Sequence, residues 1–157
     1  MAQTARPDRL SWDECLMQIA CIIAQRSADP VTQAGACIAT DKNVVIGLGY
    51  NGWPRGIALE SLPWEREGDF LDTKYAYVVH AEENAIYNAN NNVSGCKLYC
   101  TLFPCNECAK TIIQSGIKEI IYESDKYHDV PAWVASRRLL DLAGIHYRQY
   151  IPKNKLK

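Results

Sequence analysis

Two short motifs bring together side chains able to hold a metal and move a proton: His80-Ala81-Glu82, and Pro104-Cys105-Asn106-Glu107-Cys108. Imidazole and thiolate are the preferred ligands of zinc, and a catalytic zinc site uses three protein ligands and leaves the fourth position to water. His80, Cys105 and Cys108 supply three. Cys105 and Cys108 stand three residues apart at an expected helix start, so they share one face, and the positive helix end favours their thiolates. Glu82, two residues after His80, is placed near the metal without ligating it and reads as a proton carrier.

Each motif alone has other readings. A C-x-x-C pair also serves redox chemistry, or half of a structural cage that Cys96 or Cys100 could complete. Cys15, Cys21 and Cys37 lie on apolar faces and read as inert core thiols. Glu82 weighs against a purely structural cage, which has no use for that carboxylate. The pairing of H-x-E with P-C-x-x-C is the pattern of the zinc deaminases, in which water made acidic by zinc attacks C4 of cytosine. Zinc brings the pKa of its water from 15.7 to about 7, and Glu82 would take the water proton, deliver it to ring N3, and then protonate the departing ammonia.

The chain has 157 residues, 48% hydrophobic and 22% charged, with a net charge of -1. That is the composition of one globular domain, and 1–157 reads as such, with 1–9 and 153–157 as flexible ends. Seventeen basic residues against eighteen acidic, scattered along the chain, give no basic track for a polynucleotide. No stretch has the length and apolarity of a signal peptide or membrane span, so a cytoplasmic protein with reduced cysteines is expected.

The elements that must position these groups follow from periodicity. Ser11 and Glu14 have capping-box spacing ahead of a helix over 11–26, and 34–40 and 44–50 read as a hairpin turning at Asp41, Lys42 and Asn43. A long aperiodic loop runs over 51–77, a length that marks function or mobility. Then come a helix over 80–90, a strand over 96–100, a helix over 105–115 capped by Gly116, and a strand over 118–122. A helix opened by Pro131 and closed by Gly144 follows, with Leu139, Leu140, Leu142 and Ala143 expected inward, and a last strand over 145–151. The order α-β-β-α-β-α-β-α-β predicts a three-layer α/β/α sandwich around a five-stranded mixed sheet.

From about Leu10 to Pro152 the sequence resembles the deoxycytidylate deaminases of the cytidine deaminase-like fold. The resemblance rests on Arg26-Ser27-Ala28-Asp29-Pro30, Gly49-Tyr50-Asn51-Gly52, Leu71-Asp72-Thr73-Lys74-Tyr75, His80-Ala81-Glu82, Leu102-Phe103-Pro104-Cys105-Asn106-Glu107-Cys108-Ala109-Lys110 and Ser124-Asp125-Lys126-Tyr127-His128-Asp129. It implies hydrolysis of dCMP to dUMP, a thymidylate precursor, with Asn51 on the deoxyribose and Arg26, Tyr127 and Lys126 or His128 on base and phosphate, beside Ala81. Without it, Arg26 reads as a solvated helix end and Tyr127 as a half-buried loop aromatic. The resemblance also implies a homohexamer activated by dCTP and inhibited by dTTP with magnesium. Gly49, Tyr50, Asn51 and Gly52 are the candidate effector contacts, although both glycines could simply shape a turn. Two departures from the family pattern are Glu83, where many relatives have an apolar residue, and the lack of histidines for a second zinc, so a single zinc is expected. Glu83 could face solvent or raise the pKa of Glu82. A deaminase of another cytosine compound, and a binding module that has lost the chemistry, are the rival functions.

Overall fold

The computed structural model describes residues 3–153. Of the expected flexible ends, residues 3–9 are exposed and irregular, while 1–2 and 154–157 lie outside the described residues.

Helix α1 (Trp12–Ala24) starts where the sequence places it: the Glu14 N–H donates to Ser11 Oγ at 3.2 Å, and the Ser11 N–H donates to the Glu14 carboxylate at 2.9 Å. The hairpin is β1 (Gly35–Ala39) and β2 (Val45–Tyr50), its turn carrying Asn43 at φ 62°. After the long loop, which contains two short 3-10 turns, come α2 (Ala81–Asn88), β3 (Lys97–Leu102), α3 (Asn106–Ser115), β4 (Glu119–Ser124), α4 (Pro131–Leu142) and β5 (His146–Gln149).

The strands lie in the order β2-β1-β3-β4-β5, with β1 antiparallel to both neighbours and β3, β4 and β5 mutually parallel. Side chains alternate between the faces of a strand, and here the two faces hold two separate cores. Cys37, Ala39, Tyr99 and Ile121 meet Leu16, Met17 and Ala20 of α1. Ile38, Leu98, Cys100 and Ile120 meet Ala81 and Ala85 of α2, Cys108, Ala109 and Ile112 of α3, and Leu140 of α4. The expected α/β/α sandwich is therefore present, with one helix on one face and three on the other. The parallel crossovers through α3 and α4 account for the crowded face, because both must turn in the same hand.

One inward assignment is corrected. Leu140 is fully buried and Leu139 partly so, but Leu142 is 83% exposed and Ala143 is exposed as well. Two residues beyond Leu140 is some 200° around the helix, which turns Leu142 to solvent. Ala143 is already the cap of the helix, and Gly144 at φ 70° reverses the chain.

Helix α2 lies so close to β2 that no side chain fits between them at Gly49. A Cβ there would sit 2.2 Å from the Ala85 nitrogen and 2.3 Å from the Ala81 carbonyl oxygen. Gly49→Ala should therefore lower stability by about 1–3 kcal/mol, the usual result of overpacking, or more. Denaturant unfolding reads this directly, and an unchanged midpoint would contradict so close an approach.

Candidate active site

His80 and Cys105 occupy equivalent places, each the N-cap of the helix that follows: His80 has φ −76°, ψ 159° before α2, and Cys105 has φ −72°, ψ 175° before α3. The chain before His80 is fixed by a bridge in which Val79 and Gly52 exchange backbone hydrogen bonds of 2.8 and 3.1 Å. Cys108 is three residues further along, in the first turn of α3. The ligand atoms of His80, Cys105 and Cys108 all lie within 4.8 Å of one another. His80 Nδ1 is 3.3 Å from Cys108 Sγ and 3.4 Å from Cys105 Sγ. Zn–N and Zn–S bonds of about 2.1 and 2.3 Å in tetrahedral array hold their ligand atoms roughly 3.6 Å apart, so donor type and spacing both fit zinc. Among the described residues no second cluster of this kind occurs; Cys96 and Cys100 stand apart, the Cys100 thiol donating to the Ile121 carbonyl at 3.8 Å.

Charge is shared tightly here. The Cys108 thiol, with help from the His80 imidazolium, holds the Cys105 thiol down to about 4 against the effect of burial. Cys108 is correspondingly pushed well up by that donation, by burial and by the charge of Glu82. Its bond to Cys105 raises His80 to about 9, which burial opposes and Glu82 supports. A metal must displace these protons to bind, as zinc does at thiol and imidazole sites. Glu82 is 7% exposed, and Cys108 Sγ donates to its Oε2 at 3.7 Å. Burial pushes its carboxyl up to about 7, opposed by His80.

His80, Glu82 and Cys105 line a cavity of about 380 Å³, with Ala81, Asn51 and Tyr127 also in its lining. Arg26, Lys126 and His128 are exposed and stand outside that lining; His128 Nε2 pairs with Asp129 at 3.0 Å. Asn51 is buried with its amide already engaged. Its Nδ2 donates to the Thr32 carbonyl at 2.8 Å and to Asp29 at 3.4 Å, and its Oδ1 accepts from the Ala34 N–H at 2.8 Å. Gly49 faces α2, while Tyr50 and Gly52 line a separate hollow of about 130 Å³ with Trp53, Arg55, Asn84 and Asn88.

Sequence reasoning gave no role to several wall residues: Asp29, Arg66, Lys74, Tyr75 and Trp133. Asp29, Lys74 and Tyr75 lie in recognised motifs, whereas Arg66 sits in an aperiodic loop that carries no signal. Glu83 does not face solvent freely: it is half-buried and accepts a hydrogen bond from Thr111 at 3.2 Å, tying α2 to α3.

Residues 10–124 match the cytidine and deoxycytidylate deaminase zinc-binding region. The deoxycytidylate deaminase of Pongo abelii is 55% identical over 150 residues, covering 94% of this chain and 84% of that protein. The chain belongs to the cytidine and deoxycytidylate deaminase family. A probable deoxycytidylate deaminase of Drosophila melanogaster is 49% identical over 96% of this chain and 77% of that one. The fold is that of the dCMP deaminase of cyanophage S-TIM5, solved with dCMP and dUMP, at a TM-score of 0.71 and 24% identity, covering 94% of this chain and all of that one.

For this family member, His80→Ala and Cys108→Ser should each strip zinc from folded protein, and metal analysis of the parent should give a single zinc per chain. Two would contradict the single site. The wall has its own test. Lys74 Nζ lies 2.5 Å from Asp29 Oδ2, with 6% and 1% of the two side chains exposed. Burial would raise the Asp29 carboxyl, but Lys74 and the Val31 and Thr32 N–H groups outweigh it and hold it below its ordinary 3.8. Its contribution is therefore complete above that ordinary value and is lost as pH falls through the lower folded one. Asp29→Ala should cost about 3–5 kcal/mol by stranding a buried ammonium, measured by unfolding near neutral pH. A loss below about 1 kcal/mol, the range of an exposed pair, would show that the ammonium reaches water.

Proposed function

We propose that this enzyme hydrolyses the 4-amino group of dCMP to give dUMP and ammonia. The observation that carries the reading is a buried carboxylate, Glu82, beside a His80, Cys105, Cys108 donor set of which His80 and Cys105, with Glu82, line a nucleotide-sized cavity. The choice of dCMP is supported by relatives named deoxycytidylate deaminase that match across most of both chains.

His80, Cys105 and Cys108 would hold zinc, which when bound makes a water acidic enough to be deprotonated near neutral pH. Glu82 would take one proton from the attacking water and deliver it to N3 of the cytosine ring. It would then collect the proton of the hydroxyl now on C4 and deliver it to the amino group, so that the C–N bond breaks, ammonia leaves and C4 becomes a carbonyl. Its position suits this role, because the second residue of α2 is fixed by helix geometry and is screened from bulk water that would otherwise exchange the proton. A carboxyl lifted by burial and lowered again by a neighbouring dication can hold and release a proton near working pH. Tyr127 and Asn51 are the proposed contacts for base and sugar. Asn51 acts partly by holding Thr32 and Ala34, two other parts of the cavity lining, in place.

Regulation by dCTP as activator and by dTTP as inhibitor, each with magnesium, in a cytoplasmic homohexamer, completes the proposal. The hollow beside Tyr50 and Gly52 supports an effector site there, since Arg55, bonded to Asn88, adds a guanidinium to its wall. Gly49 belongs to packing and is not part of it.

The test is turnover of dCMP by zinc-loaded protein, followed by loss of cytosine absorbance, beside deoxycytidine and CMP. The parent should prefer dCMP. Glu82→Ala should keep its zinc and lose about 10²–10⁴-fold in kcat, the usual weight of a general acid–base group. Parent-level turnover in that variant would remove Glu82 from the mechanism.

A further inference from the structure

A nucleoside monophosphate holds its phosphate far from the reacting carbon of the base. With C4 against Glu82 and the His80, Cys105, Cys108 set, the phosphate has to reach another part of the same cavity, and a dianion there requires a cation. The charged residues lining the cavity are Asp29, Arg66, Lys74, His80, Glu82 and Cys105. Three of these belong to the reacting centre. Two more neutralise each other, since Lys74 is buried and spends its charge on Asp29 at 2.5 Å. Arg66 remains. It is exposed and makes no ion pair among the described residues.

Arg66 is also held ready. Its Nε donates to the Tyr75 hydroxyl at 3.2 Å, which leaves both terminal amino groups for a ligand. The backbone on either side is braced, because the Lys74 N–H donates to the Glu65 carbonyl at 3.0 Å and Lys74 itself is pinned to Asp29. Glu65 and Lys74 are thus joined one residue before Arg66 and Tyr75, whose side chains form the next rung. A guanidinium forks onto two oxygens of a phosphate, and a braced guanidinium loses less freedom in doing so. Arg26, the other arginine weighed as a phosphate contact, lies outside the cavity lining.

We propose that Arg66, steadied by Tyr75 and the Lys74–Asp29 anchor, receives the 5′-phosphate and is the residue by which the enzyme tells nucleoside monophosphates from nucleosides. The assignment rests on the reading of dCMP as substrate. It predicts a specific defect in the ratio of two inhibition constants, those of deoxyuridine and dUMP, each measured against dCMP turnover. In the parent dUMP should bind much more tightly. Arg66→Ala should reduce that ratio by about tenfold to a hundredfold, the worth of a charge-assisted contact, and Arg66→Lys should recover part of it. A ratio unchanged in Arg66→Ala overturns the assignment whether overall activity falls or not, because a residue that merely shapes the loop weakens both ligands alike. A parent that does not turn over dCMP overturns the substrate reading itself, and that outcome is visible before any variant is made.

Discussion

Three ligand atoms carried on two separate helix starts have to meet at one buried point, and most of the architecture answers to that demand. Helix α3 begins where β3 ends, so Cys105 and Cys108 are delivered by a central strand held between β1 and β4. Helix α2 comes from the other direction and must lie almost on the sheet for His80 to reach them. Gly47 and Gly49 of β2 make room for it, facing Ala85, Ala89 and Ala81, the small residues of the helix side. A bulkier residue at either place would lift α2 and carry His80 away from the two sulfurs. The packing of the core and the chemistry of the site are therefore one constraint, and the glycine in the middle of a strand, usually a weakness there, is what this approach requires.

Bringing an imidazole, two thiols and a carboxylate out of water together creates an electrostatic problem that protein groups only partly solve. Among the protein groups alone, the bond to Cys105 raises His80 to about 9, and Cys108 and His80 hold the Cys105 thiol down to about 4. Both helix starts aim the positive ends of their dipoles at the cluster, which favours anionic sulfur but amounts to fractions of a charge. A dication of tetrahedral preference satisfies all three donors at once and leaves Glu82 as the titrating group. The arrangement is then a site whose charge balance is completed by its metal.

The sequence was most legible where chemistry needs particular residue types at fixed spacing. His80, Glu82, Cys105 and Cys108 were readable without coordinates, as were the capping box at Ser11 and the mixed sheet implied by alternating elements. Positions set by long-range packing were less so. Leu142 has the composition of a core residue but lies on the wrong side of α4, and Gly49 looks like a flexible turn residue until α2 is seen against it. Arg26 sits in a recognised motif yet ends exposed beyond α1, while Arg66, with no periodicity around it, reaches the cavity. Local pattern cannot reveal which of two arginines the tertiary fold brings to a site.

The loop between Asn51 and Tyr77 shows why that information is tertiary. It has almost no regular structure, but it is held at several points. Trp53 and Trp64 stack at 3.9 Å, and both indole N–H groups donate to the Leu59 carbonyl. The deeper hold is Asp29, whose carboxylate accepts from the Val31 and Thr32 backbone, from Asn51 and from Lys74. Four parts of the chain thus converge on one buried anion: the segment after α1, the approach to β1, the end of β2 and the far end of the loop. Such an anion is stable only while its ammonium partner stays with it. The cavity wall is on this account a braced part of the fold, and the same buried pair that costs desolvation to form is what gives an irregular loop one conformation.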